Sequence, residues 1–288
     1  MEDKKEKKIS TKTKIFIIVG ILLFIVFGIL WARFISTRGI IVKEIKVDNT
    51  TLPEEYDGLK IIHFTDVHYG STIHKKEMEH IVETINKQNA DIVVFTGDLV
   101  ERGVTLNEDD VNSLTELLNK IDAKVEKYAV KGNHDYDSTY FDEIISKTNF
   151  ILLNNSYDYF YKDSNIPIVM VGLDDYWKGK PDYKSAFSFK EDFEEMPYTI
   201  LLLHEPDQID YIEDNKFDLA MAGHSHLGQV RLPFIGALYT PYGARKYTDS
   251  HYIVNGSNLY IDGGLGTSTL KLRFFNKPSI SLYRFYTK

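Results

Sequence analysis

The chain has 288 residues, of which 43% are hydrophobic and 13% are aromatic, so it is long enough to bury one large core or two small ones. It contains no cysteine, which excludes a disulfide framework, a cysteine nucleophile and a thiolate metal site, so any metal must be held by nitrogen and oxygen. The net charge is −8, and the residues beyond position 14 carry 28 basic and 39 acidic side chains for a net charge of −11, which argues against a nucleic-acid partner.

The chain begins with a basic tail followed by a long apolar run. Residues 1–14 include six lysines and three acids, whereas residues 15–32 contain no charged side chain. Together with its flank to residue 35, the run spans about 30 Å as a helix, which matches the hydrocarbon thickness of a bilayer. A signal peptide would have a shorter apolar region and a small-residue cleavage site, but Trp31 and Arg33 follow here. The sequence therefore predicts an uncleaved transmembrane anchor over residues 15–35.

The charges on the two sides of the anchor indicate its orientation. Six lysines precede the apolar run, and four basic residues follow it closely, namely Arg33, Arg38, Lys43 and Lys46. Because basic residues remain preferentially on the cytoplasmic side, we expect residues 1–14 to form a basic cytoplasmic tail. The expected localisation is the cell membrane, as a single-pass protein whose C-terminal domain lies outside the cytoplasm.

Beyond the anchor, residues 36–58 are expected to form a linker with a lead-in strand, and residues 59–288 one folded domain. Helical spacing of apolar residues predicts helices at 75–88 and 108–121, and Ser138 is expected to cap a helix that continues to residue 147. Short helices are expected at 189–196 and 209–214. Runs rich in apolar residues predict strands at 59–65, 91–96, 126–130, 151–153, 158–161, 166–173, 199–204, 218–223, 259–261 and 279–285. This alternation indicates an α/β fold with a more β-rich second half.

Side chains that can bind metal follow five of the predicted strands. Taken singly, each has an ordinary structural interpretation, such as a turn residue, a helix cap or a hydrogen-bonded core histidine. In open α/β sheets, however, ligands gather at the carboxyl ends of strands, so five such ends indicate one site. The residues are Asp66, His68, Asp98, Asn133, His134, Asp135, His204, His224 and His226. The other four histidines are expected to be structural, and they are His63, His74, His80 and His251.

The order of these motifs, D-x-H, G-D, G-N-H-[DE], H and G-H-x-H, resembles that of the calcineurin-like metallophosphoesterase family, without substitution from Asp66 to His226. The resemblance implies a four-layer α/β/β/α sandwich as a catalytic domain over residues 59–288, preceded here by one transmembrane helix. It also implies two divalent metal ions. One would be held by Asp66, His68, Asp98 and His226, and the other by Asp98, Asn133, His204 and His224. His134 would face the substrate without binding metal, and Asp135 would orient it.

Further features are similar to one branch of that family, the bacterial membrane-anchored or exported YkuE/YaeI-type proteins. They are the apolar N-terminal segment and the sequence HEPD at residues 204–207. Leu227 departs from the pattern, because that group more often has glycine at this position. Leu227 adjoins the predicted ligand His226, so we expect it to alter the shape of the pocket without removing a metal.

The residue types at these positions agree with hydrolysis of a phosphate ester. The two carboxylate oxygens of Asp98 allow it to bridge two cations, which an imidazole cannot do. Two cations about 3.5–4 Å apart can hold a hydroxide between them and lower the pKa of water from about 15.7 toward neutrality. An uncoordinated histidine, His134, can then act as the general acid for the leaving oxygen. Nitrogen and oxygen ligands suit Mn, Fe or Zn.

The stretch 232–247 follows the metal motifs directly and indicates the substrate class. Phe234 and Tyr239 are expected to contribute to an apolar lip for a lipid tail, and Arg245 and Lys246 to hold a phosphate. With the anchor, this predicts hydrolysis of a phosphodiester or pyrophosphate bond in a lipid-linked or cell-envelope molecule. The same loop could instead only pack on its own domain. Alternative functions are a phosphomonoesterase or protein phosphatase, and a non-catalytic metal-binding scaffold, which the complete set of seven predicted ligands disfavours.

Overall fold

The first element of the structure, a computed structural model that describes residues 10–49, 51–162, 165–212 and 217–287, is a long apolar helix. This helix, α1, spans Thr11–Phe34, and the side chain of Ser10 caps its start by accepting a hydrogen bond from the Thr13 amide. Almost every side chain of α1 is exposed, and within the described ranges it is the one helix long and apolar enough to cross a membrane. Residues 1–9 of the predicted tail lie outside the described residues.

The remaining elements alternate between strands and short helices. The helices are α2 Lys75–Asn86, α3 Glu108–Asn119, α4 Asn133–Asp137, α5 Phe141–Ser146 and α6 Tyr183–Ala186. Short 3-10 helices lie at Glu54–Tyr56, Ser188–Asp192, Pro206–Tyr211 and His226–Gly228. The strands of the first half are β1 Ile41–Asn49, β2 Lys60–Phe64, β3 Ile92–Phe95, β4 Glu126–Ala129, β5 Ile151–Leu152, β6 Ser156–Phe160 and β7 Ile168–Gly172. Those of the second half are β8 Thr199–Leu202, β9 Leu219–Ala222, β10 Arg231–Leu232, β11 Gly236–Ala237, β12 His251–Val254, β13 Ser257–Ile261 and β14 Ser279–Thr287.

The described strands form two mixed six-stranded sheets and one two-stranded hairpin, β10–β11. The order is β1-β14-β2-β3-β4-β5 in the first sheet and β12-β13-β9-β8-β7-β6 in the second. The expected lead-in strand is β1, which pairs in parallel with β14 along its full length. Strands β2, β3 and β4 are mutually parallel, as are β7, β8 and β9. Their carboxyl ends therefore meet at one edge of each sheet.

The molecule is layered because its central strands are apolar on both faces, so each sheet is covered on both sides. In β3, Ile92 and Val94 pack between the two sheets, whereas Val93 and Phe95 pack against α2, α3 and α5. The outer face of the second sheet is covered by α6 and the 3-10 helices, through Ala186 and other buried residues. Alternate residues of a strand point to opposite faces, so a strand buried on both sides reads as a continuous apolar run. The predicted four-layer α/β/β/α sandwich with a long apolar N-terminal helix is confirmed.

Three helix predictions differ from the structure. The helix expected from Ser138 to residue 147 is the shorter α5, because Ser138 itself is extended and its hydroxyl accepts a hydrogen bond from the Tyr140 amide, and α4 before it was not predicted. The short helix expected at 189–196 is displaced toward the N-terminus, as α6 and the 3-10 helix Ser188–Asp192. The one expected at 209–214 is the 3-10 helix Pro206–Tyr211, and residues 213–214 lie outside the described residues. The hairpin β10–β11 and strand β12 were not predicted.

Candidate metal centre

Each residue that was predicted to bind metal lies in the segment that follows a strand, with Asn133 at the start of α4 and His226 at the start of a 3-10 helix. Asp66 and His68 follow β2, Asp98 follows β3, and Asn133 follows β4. From the second sheet, His204 follows β8, and His224 and His226 follow β9. Five of these residues adopt a left-handed backbone, which non-glycine residues rarely do and which concentrates at functional sites. Their φ angles are 52° for Asp66, 47° for His68, 62° for Asp98, 61° for His224 and 46° for His226.

One cluster of metal-binding atoms is formed by Asp66, His68 and His226, all of them buried. Oδ1 of Asp66 lies 3.6 Å from Nε2 of His68 and 3.3 Å from Nε2 of His226. The two Nε2 atoms are 3.0 Å apart. This spacing places one carboxylate oxygen and two imidazole nitrogens around a common point.

A second cluster is formed by Asp98, His204 and His224, which are also buried. Nε2 of His204 lies 3.3 Å from Oδ2 of Asp98 and 3.2 Å from Nδ1 of His224. The remaining ring nitrogens donate to backbone carbonyls, Nδ1 of His204 to Thr96 over 2.6 Å and Nε2 of His224 to Tyr242 over 2.8 Å. Such bonds fix the ring orientation and leave the facing nitrogen free of a proton for a metal.

Asp98 connects the two clusters. Its Oδ2 atom lies 3.6 Å from Nε2 of His68 in the first cluster and 3.3 Å from Nε2 of His204 in the second. Asn133 lines the same cavity as Asp98, and its side-chain oxygen is buried with no hydrogen-bond partner among the described residues. Oδ1 of Asp66 is likewise buried and without such a partner. Buried polar atoms are nearly always satisfied, so these two oxygens and the nitrogen-oxygen donor set fit two bound cations.

The electrostatics of the site also fit bound cations. Burial opposes protonation of His68, but the nearby carboxylates of Asp66 and Glu101 favour the protonated ring, outweigh burial and raise the pKa of His68 to about 10. Burial and the neighbouring His204 lower the pKa of His224 to about 4, so that ring is neutral at pH 7. The carboxylates thus attract positive charge into the centre, and a cation that binds there displaces the proton.

His134 forms a third group of neighbouring metal-binding atoms with His68 and Asp98, and it lines the same cavity. Its Nε2 atom is 4.0 Å from Oδ2 of Asp98, and its Nδ1 atom accepts a hydrogen bond from the Arg102 amide over 3.1 Å. Glu101 lies 3.8 Å from the same Nδ1 atom and 2.7 Å from Nδ1 of His68. Glu101 was not singled out in the sequence, because a single acid in the loop after β3 carries no distinctive pattern.

Asp135, which the resemblance implied would orient His134, is buried at the start of α4. Its carboxylate accepts three backbone hydrogen bonds, from Asp98 over 2.7 Å, from Leu99 over 2.8 Å and from Gly132 over 2.9 Å. Burial and the carboxylate of Asp98 raise the pKa of Asp135 to about 7, while these three donors oppose the rise. Asp135 therefore fastens the loop that carries Asp98 to the start of α4.

A cavity of about 430 Å³ is lined by several apolar residues and by five of the metal-binding residues, His68, Asp98, Asn133, His224 and His226. Of the four residues predicted to bind substrate, Tyr239 lines this cavity. Phe234 and Arg245 line a neighbouring surface depression instead. The ammonium group of Lys246 pairs with the carboxylate of Asp210 over 2.7 Å. The structure therefore does not bring Arg245 and Lys246 together with the metal-binding residues.

The four histidines that were expected to be structural lie outside the clusters within the described residues. His63 is fully buried, and its Nε2 atom is 2.7 Å from the hydroxyl of Thr96. His74 is the residue that caps the start of α2. His251 pairs with the side chain of Asn258 over 2.9 Å.

Comparison with known proteins identifies the family to which the chain belongs. The family model described as calcineurin-like phosphoesterase matches residues 59–228. This chain belongs to the calcineurin-like phosphoesterase family. It is thus a metallophosphoesterase with a histidine and aspartate site for two metal ions.

Individual relatives span most of this metallophosphoesterase. An uncharacterised metallophosphoesterase of Bacillus subtilis, YkuE, is 31% identical over 88% of each chain. The UDP-2,3-diacylglucosamine pyrophosphatase LpxG of Chlamydia muridarum is 24% identical over 81% of this chain and 86% of its own. Other curated relatives are longer, and the chain spans 60% of their length. The crystal structure of a dimetal phosphatase from Danio rerio has a TM-score of 0.45 and 11% identity, and the match covers 73% of this chain and 88% of that one.

Two residues near the C-terminus of this metallophosphoesterase, Arg273 and Asn276, stabilise the metal centre. They lie outside the sequence motifs and were not predicted. The guanidinium group of Arg273 is fully buried, lies 3.2 Å from Nδ1 of His226, and donates to three backbone carbonyls, of Gly263, Gly264 and Gly266. The side-chain amide of Asn276 donates to the carbonyl of His226. These bonds hold the loop after β9 in place.

Two positions around the centre have a left-handed backbone, and at one of them, Gly264, there is no room for a side chain. Gly264 has a φ of 69°, and a Cβ atom there would lie 2.7 Å from Cβ of Asp66. Leu227, where the branch more often has glycine, has a φ of 48° and is nevertheless buried in the outer core of the second sheet. The left-handed backbone explains why glycine suits that position, since glycine adopts it without steric cost.

Proposed function

We propose that this protein is a membrane-anchored phosphoesterase that hydrolyses a phosphodiester or pyrophosphate bond in a lipid-linked or cell-envelope molecule. One observation carries the proposal. The cavity that is lined by the metal-binding residues is also lined by exposed apolar side chains, namely Leu238, Tyr239 and Leu270. Pockets of this kind bind a ligand that has an apolar part next to the polar group on which the protein acts.

Two features support a substrate of this class. The apolar helix α1 is long enough, at about 36 Å, to hold the domain at a bilayer. The basic residues that precede it favour a cytoplasmic N-terminus and a catalytic domain outside the cytoplasm. LpxG, by its name, acts on a pyrophosphate that is attached to an acylated sugar, which is a phosphate bond next to an apolar group.

Each metal ion would be held by residues from both sheets, with Asp98 shared between the two ions. The first set is Asp66, His68, Asp98 and His226, and the second is Asp98, Asn133, His204 and His224. When bound, two divalent cations supply an activated water as nucleophile and neutralise charge on the phosphate. The nitrogen and oxygen ligands suit Mn, Fe or Zn.

His134 would provide the proton for the leaving oxygen. Since Nδ1 accepts the Arg102 amide, the proton of the neutral ring resides on Nε2, which faces Asp98. Protonation of Nδ1 replaces the hydrogen bond that it accepts from the Arg102 amide. The new N–H group faces the carboxylate of Glu101, 3.8 Å away, and this carboxylate stabilises the imidazolium. Burial lowers the pKa of His134, so the imidazolium is a stronger acid than a solvent-exposed one.

The experiment that tests the proposal is a substrate comparison with the full chain in nanodiscs loaded with Mn²⁺. The substrates are a phosphomonoester, a simple phosphodiester, an acylated phosphodiester, a diacylated sugar pyrophosphate and the same pyrophosphate without acyl chains. We expect kcat/KM to be highest for the acylated pyrophosphate or for an acylated diester, and the Asp98→Asn variant to hydrolyse none of them. Equal kcat/KM with and without acyl chains would contradict a lipid-linked substrate, and a preference for the monoester would favour a phosphatase.

A further inference from the structure

Six exposed apolar side chains form a continuous group beside the catalytic cavity, and we call this group the apolar rim. It comprises Phe234, Ile235, Leu238, Tyr239, Leu270 and Phe275. Phe234 is fully exposed at the tip of the hairpin β10–β11, and Ile235 beside it is 70% exposed. Soluble surfaces rarely expose contiguous apolar groups of this size unless they contact a partner or a membrane.

The apolar rim is tied to the end of α1 through the backbone. The amide of Arg273 donates to the carbonyl of Ala32 over 3.0 Å, and Ala32 is the one residue of α1 that is buried. Trp31 and Arg33 flank Ala32, and residues of these types mark the level where a membrane helix reaches the polar interface. The loop that contains Leu270 and Phe275 therefore lies at the level where α1 would leave the bilayer.

The hairpin β10–β11, whose tip carries Phe234 and Ile235 of the apolar rim, is joined to that loop by further backbone hydrogen bonds. The amide of Arg231 donates to the carbonyl of Phe274 over 2.9 Å, and the amide of Phe274 donates to the carbonyl of Gln229 over 3.1 Å. Phe234 and Phe275 line one shared surface depression. The hairpin tip is thus held next to the loop that contacts α1, and it cannot face the opposite end of the molecule.

We propose that the apolar rim inserts into the surface of the membrane that α1 enters, so that the catalytic cavity opens at the lipid headgroups. The proposal rests on the proposed function in one respect, the retention of α1 as an anchor. Leu238, Tyr239 and Leu270 line the cavity and belong to the apolar rim, so a phosphate among the headgroups would reach the metal-binding residues without leaving the bilayer. Exposed Lys271 and Lys277 flank the rim and would contact anionic headgroups.

The depth of the apolar rim can be measured directly, because the chain has no cysteine and every introduced cysteine is unique. A nitroxide is attached at F234C and, separately, at F275C in the full chain, with one copy per nanodisc of phosphatidylcholine and phosphatidylglycerol. The control sites are I253C and V125C, which are exposed beside the amino ends of β13 and β4, at the opposite edge of the sheets. Collision rates with oxygen and with a water-soluble nickel complex give the depth.

We expect the labels at 234 and 275 to collide at least several times more often with oxygen than with the nickel complex, and the labels at 253 and 125 to show the reverse. Nickel accessibility at 234 equal to that at 253 would overturn the proposal, and it would leave a second copy of the chain as the partner of the rim. The readout needs no turnover. Insertion without hydrolysis would contradict the proposed function alone, and hydrolysis without insertion would contradict this inference alone.

Discussion

The carboxylate of Asp135 accepts a hydrogen bond from the backbone amide of Asp98 over 2.7 Å, and this bond holds the residue that links the two metal clusters. Because the same carboxylate also binds the amides of Leu99 and Gly132, it fixes the loop after β3 against the start of α4. The G-D and G-N-H-D motifs are therefore one structural unit, although 36 residues separate Leu99 from Asp135.

This relationship predicts the effect of Asp135→Asn. The amide nitrogen of Asn would face backbone N–H groups that now donate to a carboxylate, so the loop of Asp98 should loosen and metal affinity should fall by roughly 10–100-fold. Titration of the purified variant with Mn²⁺, followed by metal analysis, measures this, with the exposed Asp109→Asn as the matched control. A variant with unchanged metal affinity and a reduced kcat would show instead that Asp135 acts on His134.

A separate prediction concerns His134. His134→Ala should retain both metal ions, because the ring is not needed to complete either cluster, while kcat falls by roughly 10²–10⁴-fold, the usual loss for a general acid. The measurement is metal content and kcat on the same preparation, with the exposed His80→Ala as the control. Loss of a metal ion from the variant would show that His134 is a ligand.

The buried His63 should make stability depend on pH. Burial lowers the pKa of His63 to about 4 in the folded protein, against about 6.5 when unfolded. Between these two values the unfolded chain binds a proton that the folded chain does not, so stability falls as the pH decreases from 6.5 to 4, by about 3 kcal/mol in total.

His63→Gln should remove this contribution, since glutamine does not titrate but can still bond to Thr96. The midpoint of thermal unfolding, measured between pH 7.5 and pH 4.5, should therefore decrease less in the variant than in the wild type. His80→Gln provides the control, because His80 is exposed. A variant whose midpoint decreases as much as that of the wild type would show that another group is responsible.

Much of this protein was predictable because its chemistry lies in short segments at strand ends. An apolar strand followed at once by D-x-H or G-H-x-H is visible locally, and parallel strands necessarily bring such ends together. The alternation of strands and helices indicated an α/β fold, and the four-layer sandwich was implied by the resemblance of the motifs to a known family. The long apolar helix was equally visible, since a run without charge needs no tertiary information to be recognised.

The parts that were missed depend on contacts between distant residues. Arg273 supports His226 from 47 positions later in the chain, and a buried arginine in a loop carries no periodic signal. Glu101 reaches two histidines only because the loops after β2, β3 and β4 converge. Helix α4 was missed because it is a single short turn, and its Asp135 is held by a contact with the distant loop of Asp98.

The central claim is that two metal ions, which share Asp98, drive hydrolysis of a phosphate ester. The measurement that tests it most directly is hydrolysis of bis(p-nitrophenyl) phosphate by metal-free full chain as Mn²⁺ is added in known equivalents. We predict no hydrolysis without metal, a plateau at two equivalents per chain, and neither full metal binding nor activity for Asp98→Asn. A plateau at one equivalent, or an Asp98→Asn variant with wild-type activity, would contradict the claim.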